Sequence, residues 1–458
     1  MAAAAGKPLD LRLWVILLAI AGIAGLAPLW ISPLSLPWII IPVIALAAIL
    51  WSKRVHGVLF SPITLLAVGW LLPALATYFE PKWALIGKTW AVILASYLAF
   101  AAGYFIPVSV WLRKCKLQSS RTFSIRVWDK HKFRKALNVL SMLGMLGFGI
   151  NSANVYRHGG LSIYLHMGFR EVERIFAFFP LTNYLYFLNG LVVVLGIVYL
   201  KWHGRASPVL LQTSASFLAL FFHTVVGTVL FPAVIAIYAY WFVGKRLPIR
   251  ALIILLLLAL LAFSIVSFGR RYITRSQMTL KQTSLAVVKR MYRYMAPNYA
   301  NLQMELMRRE EHLWGVMTLM RPILKLMSLS GRLPLVRLRL PGTQLYLVDG
   351  GYNAGTYLRS FFIDFGLGGV LAGPFVLGFI TTIFFGKFVL NPTLRNLLLY
   401  SVIATMITFT FWFNEFARIQ FWYFMAVIWF VDWLLTKHRR VVLKRIRLRE
   451  GFTTGPAA

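Results

Sequence analysis

Long runs of apolar residues alternate with short polar connections along almost the whole chain. Lipid offers no partner to backbone N–H and C=O groups, so a run that crosses a membrane must be a helix or a strand of a closed barrel. Runs of about 20 apolar residues are typical of helices, whereas barrel strands are about 10 residues long and alternate. The pattern predicts an all-α polytopic membrane protein with twelve transmembrane helices. The predicted spans are 13–30, 37–51, 58–77, 89–112, 136–152, 182–200, 208–223, 229–243, 251–268, 366–386, 396–412 and 421–436.

Basic residues concentrate in every second connection. Lys53 and Arg54 follow the second span, a basic stretch at 113–135 follows the fourth, and another at 437–449 follows the last. The connection at 32–37, on the opposite side, carries no charge. Lysine and arginine accumulate in short connections that stay in the cytoplasm. The alternation therefore predicts a multi-pass protein whose two termini are both cytoplasmic.

Two of the predicted external connections are much longer than the others. In the second of them, apolar residues at helical spacing predict amphipathic helices that lie on the membrane. We predict one helix that Pro297 ends, one over 299–314, and one over 316–329 with a kink at Pro322. The predicted organisation is 1–269 with nine spans and the external loop 154–180, a large external (periplasmic) helical loop at 270–365, three spans in 366–436, and a basic cytoplasmic tail at 437–458.

The composition supports a membrane location and excludes several enzyme classes. Hydrophobic residues make up 59% of the chain and the net charge is +35. Basic residues on the cytoplasmic side attract anionic lipid headgroups, so membrane lipids are the expected partners and nucleic acid is not. The single cysteine, Cys115, permits neither an internal disulfide nor a multi-cysteine metal site. The sequence contains no Walker, G-x-G-x-x-G or H-E-x-x-H motif, which argues against an ATPase, a dinucleotide enzyme and a zincin.

Acidic residues are scarce, with only 13 in the chain and no Asp-x-Asp pair. A Mg²⁺ ion that holds a nucleotide sugar is usually shared between carboxylates. The composition therefore favours chemistry without a metal or other cofactor, and it disfavours a nucleotide-sugar donor.

Arginine pairs in the external loops are candidate anion ligands. Arg170 and Arg174 have the i,i+4 spacing of neighbours on one helix face, where an anion between them would reverse the sign of their repulsion. The alternative is a solvated helix with internal Glu–Arg pairs.

A second group of arginines lies at and beyond the point where the ninth span leaves the membrane. Arg270 and Arg271, with Arg275 nearby, could line a pyrophosphate pocket together with Arg339 and Arg359, because the guanidinium fork binds phosphate oxygens bidentately. The alternative is an interfacial anchor, since long basic side chains reach the headgroups.

Other ionisable residues each fit a functional and a structural role. Asp349 precedes two glycines and is either a catalytic carboxylate or an aspartate that stabilises a turn. His223 interrupts an apolar stretch near the outer end of its span, as a general base or as a hydrogen-bonded structural histidine. Asp364 precedes the tenth span and suits the N-cap of that helix. Glu415 and Arg418 are i,i+3 partners in the last external turn, which fits a structural pair.

The chain resembles bacterial oligosaccharide repeat unit polymerases of the O-antigen polymerase type. The resemblance rests on the number of spans, the two enlarged external loops, and a short motif at the start of the tenth span. That motif comprises Asn353, Arg359, Asp364-Phe365-Gly366 and Gly369. Some members also have Arg-x10-Gly in each external loop, and Arg157 with Gly168 and Arg339 with Gly350 have that spacing here. No longer family signature is present in either loop.

The resemblance implies a C-type glycosyltransferase-like fold in the bacterial cytoplasmic (inner) membrane. The implied enzyme is a polysaccharide polymerase that transfers a growing glycan en bloc between undecaprenyl-pyrophosphate-linked units on the outer face, with a chain-length regulator and a flippase as partners. A base must deprotonate the attacking hydroxyl, and positive charge must stabilise the departing pyrophosphate. Asp349, Glu173 and His223 are the candidate bases, and the candidate pyrophosphate ligands are Arg170, Arg174, Arg270, Arg271 and Arg339. Further candidate site residues are Arg157, Asn353, Arg359, Asp364, Glu415 and Arg418.

Two alternatives share parts of this pattern. A ligase of the O-antigen type would use the same donor and hand the glycan to another acceptor. A flippase for the lipid-linked oligosaccharide would place ionisable residues along a path through the spans and would show inverted repeats. The charges cluster at the outer boundary and no clear repeat is present, which favours the enzyme.

Overall fold

The computed structural model describes residues 36–56, 60–78, 85–115, 128–160, 175–176, 180–204, 206–221, 226–242, 292, 295, 297–320, 323, 345–348 and 355–436. Most of these residues are helical, and they include no β-strand. The helices are α1 Leu36–His56, α2 Pro62–Tyr78, α3 Gly87–Cys115, α4 Lys130–Arg157, α5 Pro180–His203, α6 Ser207–Phe221, α7 Val226–Phe242, α8 Pro297–Arg308, α9 Tyr357–Leu390, α10 Leu394–Thr408 and α11 Ile419–Thr436.

Ten of the twelve predicted spans coincide with these helices, and 13–30 and 251–268 lie outside the described residues. Within the described part, four helices are long and apolar enough to cross a membrane. They are Gly87–Trp111, Lys130–Arg157, Leu181–His203 and Tyr357–Leu390. The described residues thus agree with the prediction of a mainly helical protein with helices of membrane-spanning length, while the number of crossings and the glycosyltransferase-like class of the fold remain predictions.

The chain forms two compact units. The first comprises Met1–Arg121, Val288–Leu390 and Met406–Arg418, and the second comprises Thr122–Val287, Asn391–Thr405 and Ile419–Ala458. Most of the predicted site residues that the structure describes belong to the first unit.

In the first unit, α9 packs along α3 because glycines remove side chains at the contact. A Cβ on Gly103 would overlap the backbone of Phe375, and a Cβ on Gly378 would overlap the backbone of Phe100. Small residues let two helix backbones approach closely, which is a common way of packing helices in lipid. The two helices therefore form a firm support for the segments at the N-terminal end of α9.

Helix α8 packs against α2 and against the start of α3. Tyr299 donates from its hydroxyl to the carbonyl of Trp70 at 3.0 Å. Gln303 Oε1 accepts from the backbone N–H of Ile86 at 2.8 Å and from the Thr89 hydroxyl at 3.1 Å. Burial raises the pKa of the Tyr299 phenol well above its ordinary value, which keeps this residue a neutral donor. Side chains on a single helix thus connect the predicted external loop to two of the predicted spans.

In the second unit, α4 and α5 pack through amides and small residues. Asn189 Nδ2 donates to the carbonyl of Gly144 at 2.8 Å, and the Thr182 hydroxyl donates to Asn151 Oδ1 at 2.6 Å. Gly147 faces the backbone of α5, where an added Cβ would lie 2.7 Å from the carbonyl oxygen of Thr182. The contact uses neutral hydrogen bonds and close backbone approach.

The structure agrees with some predicted element boundaries and corrects others. Helix α9 begins at Tyr357, ahead of the predicted span 366–386, and the predicted start coincides with a kink at Gly366, whose backbone angles (φ 61°, ψ −149°) are not helical. Helix α8 ends at Arg308, short of the predicted residue 314, because the N–H groups of Leu313 and Trp314 bond to the carbonyls of Ile363 and Asp364. A single π-helical turn at Val316–Met320 replaces the start of the third predicted helix.

Candidate functional site

The candidate site lies at the N-terminal end of α9 and is organised by Glu305. This side chain is fully buried and accepts from two guanidinium groups. Arg309 Nε lies 2.8 Å from Oε2, while Arg359 Nε and Nη2 lie 3.1 Å and 3.0 Å from Oε1. The backbone N–H of Tyr346 donates to the same Oε1 at 3.0 Å. One carboxylate therefore joins α8, the residue that follows it, the segment 345–348 and the start of α9.

The sequence of α8 explains why Glu305 points inward. Pro297 occupies the start of the helix, where its missing N–H has no consequence. Asn298, Asn301 and Glu305 recur at a spacing of three and four residues, which places them on one face, and all three are buried. The buried face of this helix is thus polar as well as apolar.

The segment 345–348 is joined to α8 through its backbone N–H groups. The N–H of Tyr346 donates to Glu305 and the N–H of Val348 donates to Asn301 Oδ1 at 3.0 Å. Alternate residues of the segment thus bond to side chains one helical turn apart, which fits the two-residue repeat of an extended chain. The guanidinium of Arg309 stacks over the ring of Tyr346, 5.5 Å from its centroid. Side chains of α8 and its end fix the register of this segment.

Arg359 reaches Glu305 because the chain ahead of α9 is held close to it. Gly355 donates its N–H to the carbonyl of Trp412 at 3.0 Å, and Tyr357 donates to the carbonyl of Thr410 at 2.8 Å. A Cβ on Gly355 would lie 2.6 Å from Cδ of Arg359, so only glycine leaves room for this side chain. The Arg359 side chain is only 5% exposed.

Asp364 has a different role from the N-cap of α9 that its position in the sequence suggests. It lies inside α9, two residues before the kink, and is fully buried. Its carboxylate accepts from the N–H groups of Met317 (2.9 Å) and Thr318 (2.7 Å) and from the Thr318 hydroxyl (2.6 Å). The N-cap assignment is therefore wrong, because Asp364 caps the π-helical turn at Val316–Met320 across the tertiary structure.

The kink after Asp364 is packed against a histidine. A Cβ on Gly366 would lie 2.7 Å from Nε2 of His312, and the positive φ of Gly366 also favours glycine. The ring of His312 meets Phe362 edge-on at 5.8 Å. His312 and Asp364 together determine how the 309–320 stretch lies on α9.

The predicted ion pair of Glu415 and Arg418 is present. The Glu415 carboxylate is fully buried, and Arg418 Nε lies 2.8 Å from its Oε2. The guanidinium of Arg418 also lies over the ring of Phe413, 5.2 Å from its centroid. The turn Glu415–Ala417 contacts the turn Val316–Met320. Arg359, Asp364, Glu415 and Arg418, all predicted site residues, thus lie in one unit around the end of α9.

The other predicted site residues are not part of this cluster. Arg157 is exposed at the C-terminal end of α4 in the second unit. The remaining candidates lie outside the described residues: Asp349, Glu173, His223, Arg170, Arg174, Arg270, Arg271, Arg339 and Asn353. In the described ranges, no three His, Cys, Asp or Glu side chains are grouped so that they could hold a metal ion.

Glu305, Arg309 and Asn301 were missed as site residues by the sequence analysis. The available signal was the i,i+4 pair Glu305–Arg309 at the end of a helix whose polar residues recur every three to four positions. That pattern alone is typical of a solvated helix face.

Comparisons of the chain with protein-family models, curated proteins and solved structures found no match. The site is therefore interpreted from its own chemistry.

Proposed function

We propose that this protein is a polysaccharide polymerase that joins oligosaccharide repeat units carried on undecaprenyl pyrophosphate. The transfer takes place en bloc on the outer face of the bacterial cytoplasmic membrane, without a metal. One observation carries the proposal: a buried cluster of a carboxylate and two arginines at the end of a helix of membrane-spanning length. Ionisable groups buried near a membrane are expensive, so they are more often retained for function than for packing.

The cluster supports the proposal through the residues that it anchors. Val348 is bonded to Asn301, and Gly355 is bonded to Trp412. The chain between these two anchors, 349–354, contains Asp349 and Asn353, both predicted site residues. A base must be placed within hydrogen-bond reach of the hydroxyl that it deprotonates. Glu305, Arg309 and Arg359 form the Glu305 cluster, which holds Tyr346 and Arg359 just outside these anchors. In our proposal the cluster and the two anchors together fix both ends of the segment that carries the base.

The proposed reaction needs no nucleotide, since the bond to pyrophosphate is already activated. Asp349 takes the proton of a hydroxyl on the acceptor unit, and that oxygen attacks the anomeric carbon of the growing chain. The bond from the anomeric carbon to pyrophosphate breaks as the new glycosidic bond forms. The lipid pyrophosphate leaves as an anion, and arginines of the external loops offset its growing charge.

The carboxylates of Glu305 and Asp364 are unsuited to the role of base. Glu305 accepts from two guanidinium groups and a backbone N–H. Asp364 accepts three hydrogen bonds from the turn at 317–318. The donors around both carboxylates belong to the protein itself, whereas a general base must reach the hydroxyl of its substrate. These two acids hold the scaffold, which leaves the catalytic role to Asp349 or to Glu173 or His223.

The test uses the purified full chain in vesicles with lipid-linked repeat units, and polymer ladders are read on a gel. Asp349→Asn should reduce ladder formation by about 100-fold or more, the scale of a lost general base. Asp129→Asn is the matched control, because Asp129 is an exposed helix cap in the second unit and asparagine also caps well.

Other outcomes identify the rivals. Consumption of the lipid-linked unit without ladders would support the ligase, in which the glycan goes to another acceptor. Transfer of labelled lipid across the vesicle without consumption would support the flippase. Full ladders from Asp349→Asn, Glu173→Gln and His223→Ala alike would refute the proposed bases.

A further inference from the structure

The turn that Asp364 caps exposes large apolar side chains. Trp314 is 79% exposed and Leu319 is 64% exposed, and Met320 beside Leu319 is exposed as well. These three residues are called the Trp314 patch below. They belong to one compact turn, since the N–H groups of Leu319 and Met320 both donate to the carbonyl of Gly315. Their polar neighbour Thr318 points the other way and is buried against Asp364.

Trp314 is held in a backbone conformation that disfavours it. Its φ is 48°, in the left-handed region that bulky residues rarely adopt. The conformation is imposed by hydrogen bonds from Leu313 and Trp314 to the carbonyls of Ile363 and Asp364. Glycine or asparagine would satisfy such a turn with less strain. A tryptophan in such a turn, with most of its ring exposed, indicates a binding role, since packing within the described part of the chain does not account for it.

The Trp314 patch continues the apolar surface of α9. Beyond the kink, Leu367, Leu371 and Phe375 follow at a spacing of four residues and are exposed. Such a stripe on a helix long enough to cross a membrane is the face expected to contact acyl chains. The patch joins this stripe at the kink, because Phe365 contacts the position of Gly315 next to Trp314. Lipid that covers the stripe therefore extends to the patch.

Several residues that precede the patch in the chain are hydrophilic. Arg308, Glu310 and Glu311 are all exposed and lie just before Trp314 in the chain. An aromatic residue between an apolar stripe and charged residues is typical of the membrane–water boundary, where the indole ring sits at headgroup level.

We propose that the Trp314 patch is a membrane-interface anchor, inserted among lipid headgroups of the leaflet where α9 begins. Its partner is the bilayer surface. The hydrogen bonds of Asp364 connect the anchor directly to the end of α9, so the depth of the patch in the lipid sets the position of the 309–320 stretch. The proposal is independent of the transferase activity, since it depends only on the exposed residues and the helix beside them.

The single cysteine makes a direct test possible. In a Cys115→Ala background, single cysteines are introduced as Trp314→Cys, Leu319→Cys, Leu371→Cys or Glu311→Cys and labelled with an environment-sensitive fluorophore. The full chain is placed in vesicles of phosphatidylethanolamine and phosphatidylglycerol, with nitroxide lipids at headgroup or at deep acyl level. Leu371→Cys serves as the deep lipid control and Glu311→Cys as the aqueous control.

The labels at 314 and 319 should emit at shorter wavelength than the label at 311. Headgroup nitroxides should quench them more than deep nitroxides do, whereas the label at 371 should show the opposite order. Emission and iodide quenching like those of the label at 311 would overturn the proposal. Shielding of both sites from lipid and from iodide would also overturn it, because a protein surface would then cover the patch. Agreement between two labelled sites guards against an artefact of either substitution.

Discussion

The Glu305 cluster of the first unit and the α4–α5 contact of the second unit bury polar groups in opposite ways. In the first, a carboxylate and two guanidinium groups are nearly removed from water. In the second, amides, a hydroxyl and glycines join the helices without any charge. Neutral hydrogen bonds are sufficient to hold helices together in lipid. Burying charged groups costs more free energy than burying neutral ones. This indicates that the Glu305 cluster serves to fix the 345–348 segment and α9 for a specific task.

Breaking the charged cluster should have the largest effect. Glu305→Ala removes the carboxylate that two buried guanidinium groups share, and losing one partner of a buried ion pair costs about 3–5 kcal/mol. Reversible unfolding in mixed detergent and lipid measures the change. Glu311→Ala, an exposed acid beyond the same helix, is the control and should change stability by no more than about 0.5 kcal/mol. Equal effects of the two substitutions would contradict the account of the cluster.

The α4–α5 contact, which contains no charged group, should lose most stability when side-chain volume is added to it. Gly147→Ala places a methyl group against the backbone of α5 and should destabilise the protein by about 1–3 kcal/mol, as overpacking does. Gly149, two residues away in the same helix, has open space around it. Gly149→Ala should therefore be neutral or stabilising, because alanine favours the helix. If both variants unfold alike, steric contact is not the cause.

Loss of an amide from the neutral contact should have a smaller effect. Asn189→Leu removes the hydrogen bond to Gly144 and should cost about 1 kcal/mol, in the range measured for side-chain hydrogen bonds between helices in lipid. The same unfolding measurement applies. A loss as large as that of Glu305→Ala would erase the distinction between the two regions.

The smallest effect is expected at the exposed cap of α4. Asp129 accepts from the N–H groups of His131 and Lys132, and Asp129→Ala should cost about 0.5 kcal/mol. The N–H of Lys132, with that of His131, lowers the pKa of the Asp129 carboxyl. The contribution of Asp129 to the free energy of unfolding is therefore present above the ordinary carboxyl pKa of about 4, and it is lost as the pH falls through the lowered pKa. The difference between wild type and variant should disappear in acid and persist at neutral pH.

The hydrophobic pattern determined where most of the helices lie, because a backbone in an apolar environment must satisfy its hydrogen bonds locally. Ten of the predicted spans became helices for this reason. The i,i+3 pair of Glu415 and Arg418 was also predictable, since both residues lie in one turn. The catalytic assignment of Asp349 and the external arginines remains a prediction from the sequence.

Only the tertiary structure decided how the end of α9 is built. The predicted external helical loop extended to residue 365, but 357–365 form the first turns of α9, and Arg359 and Asp364 in them find partners far along the chain. Arg359 pairs with Glu305, 54 positions away, and Asp364 caps Thr318, 46 positions away. Burying a charged or polar group costs desolvation free energy, and a hydrogen bond to a partner offsets that cost only when the folded chain brings the two groups together. The spacing of residues along the sequence therefore cannot show which distant group will be the partner.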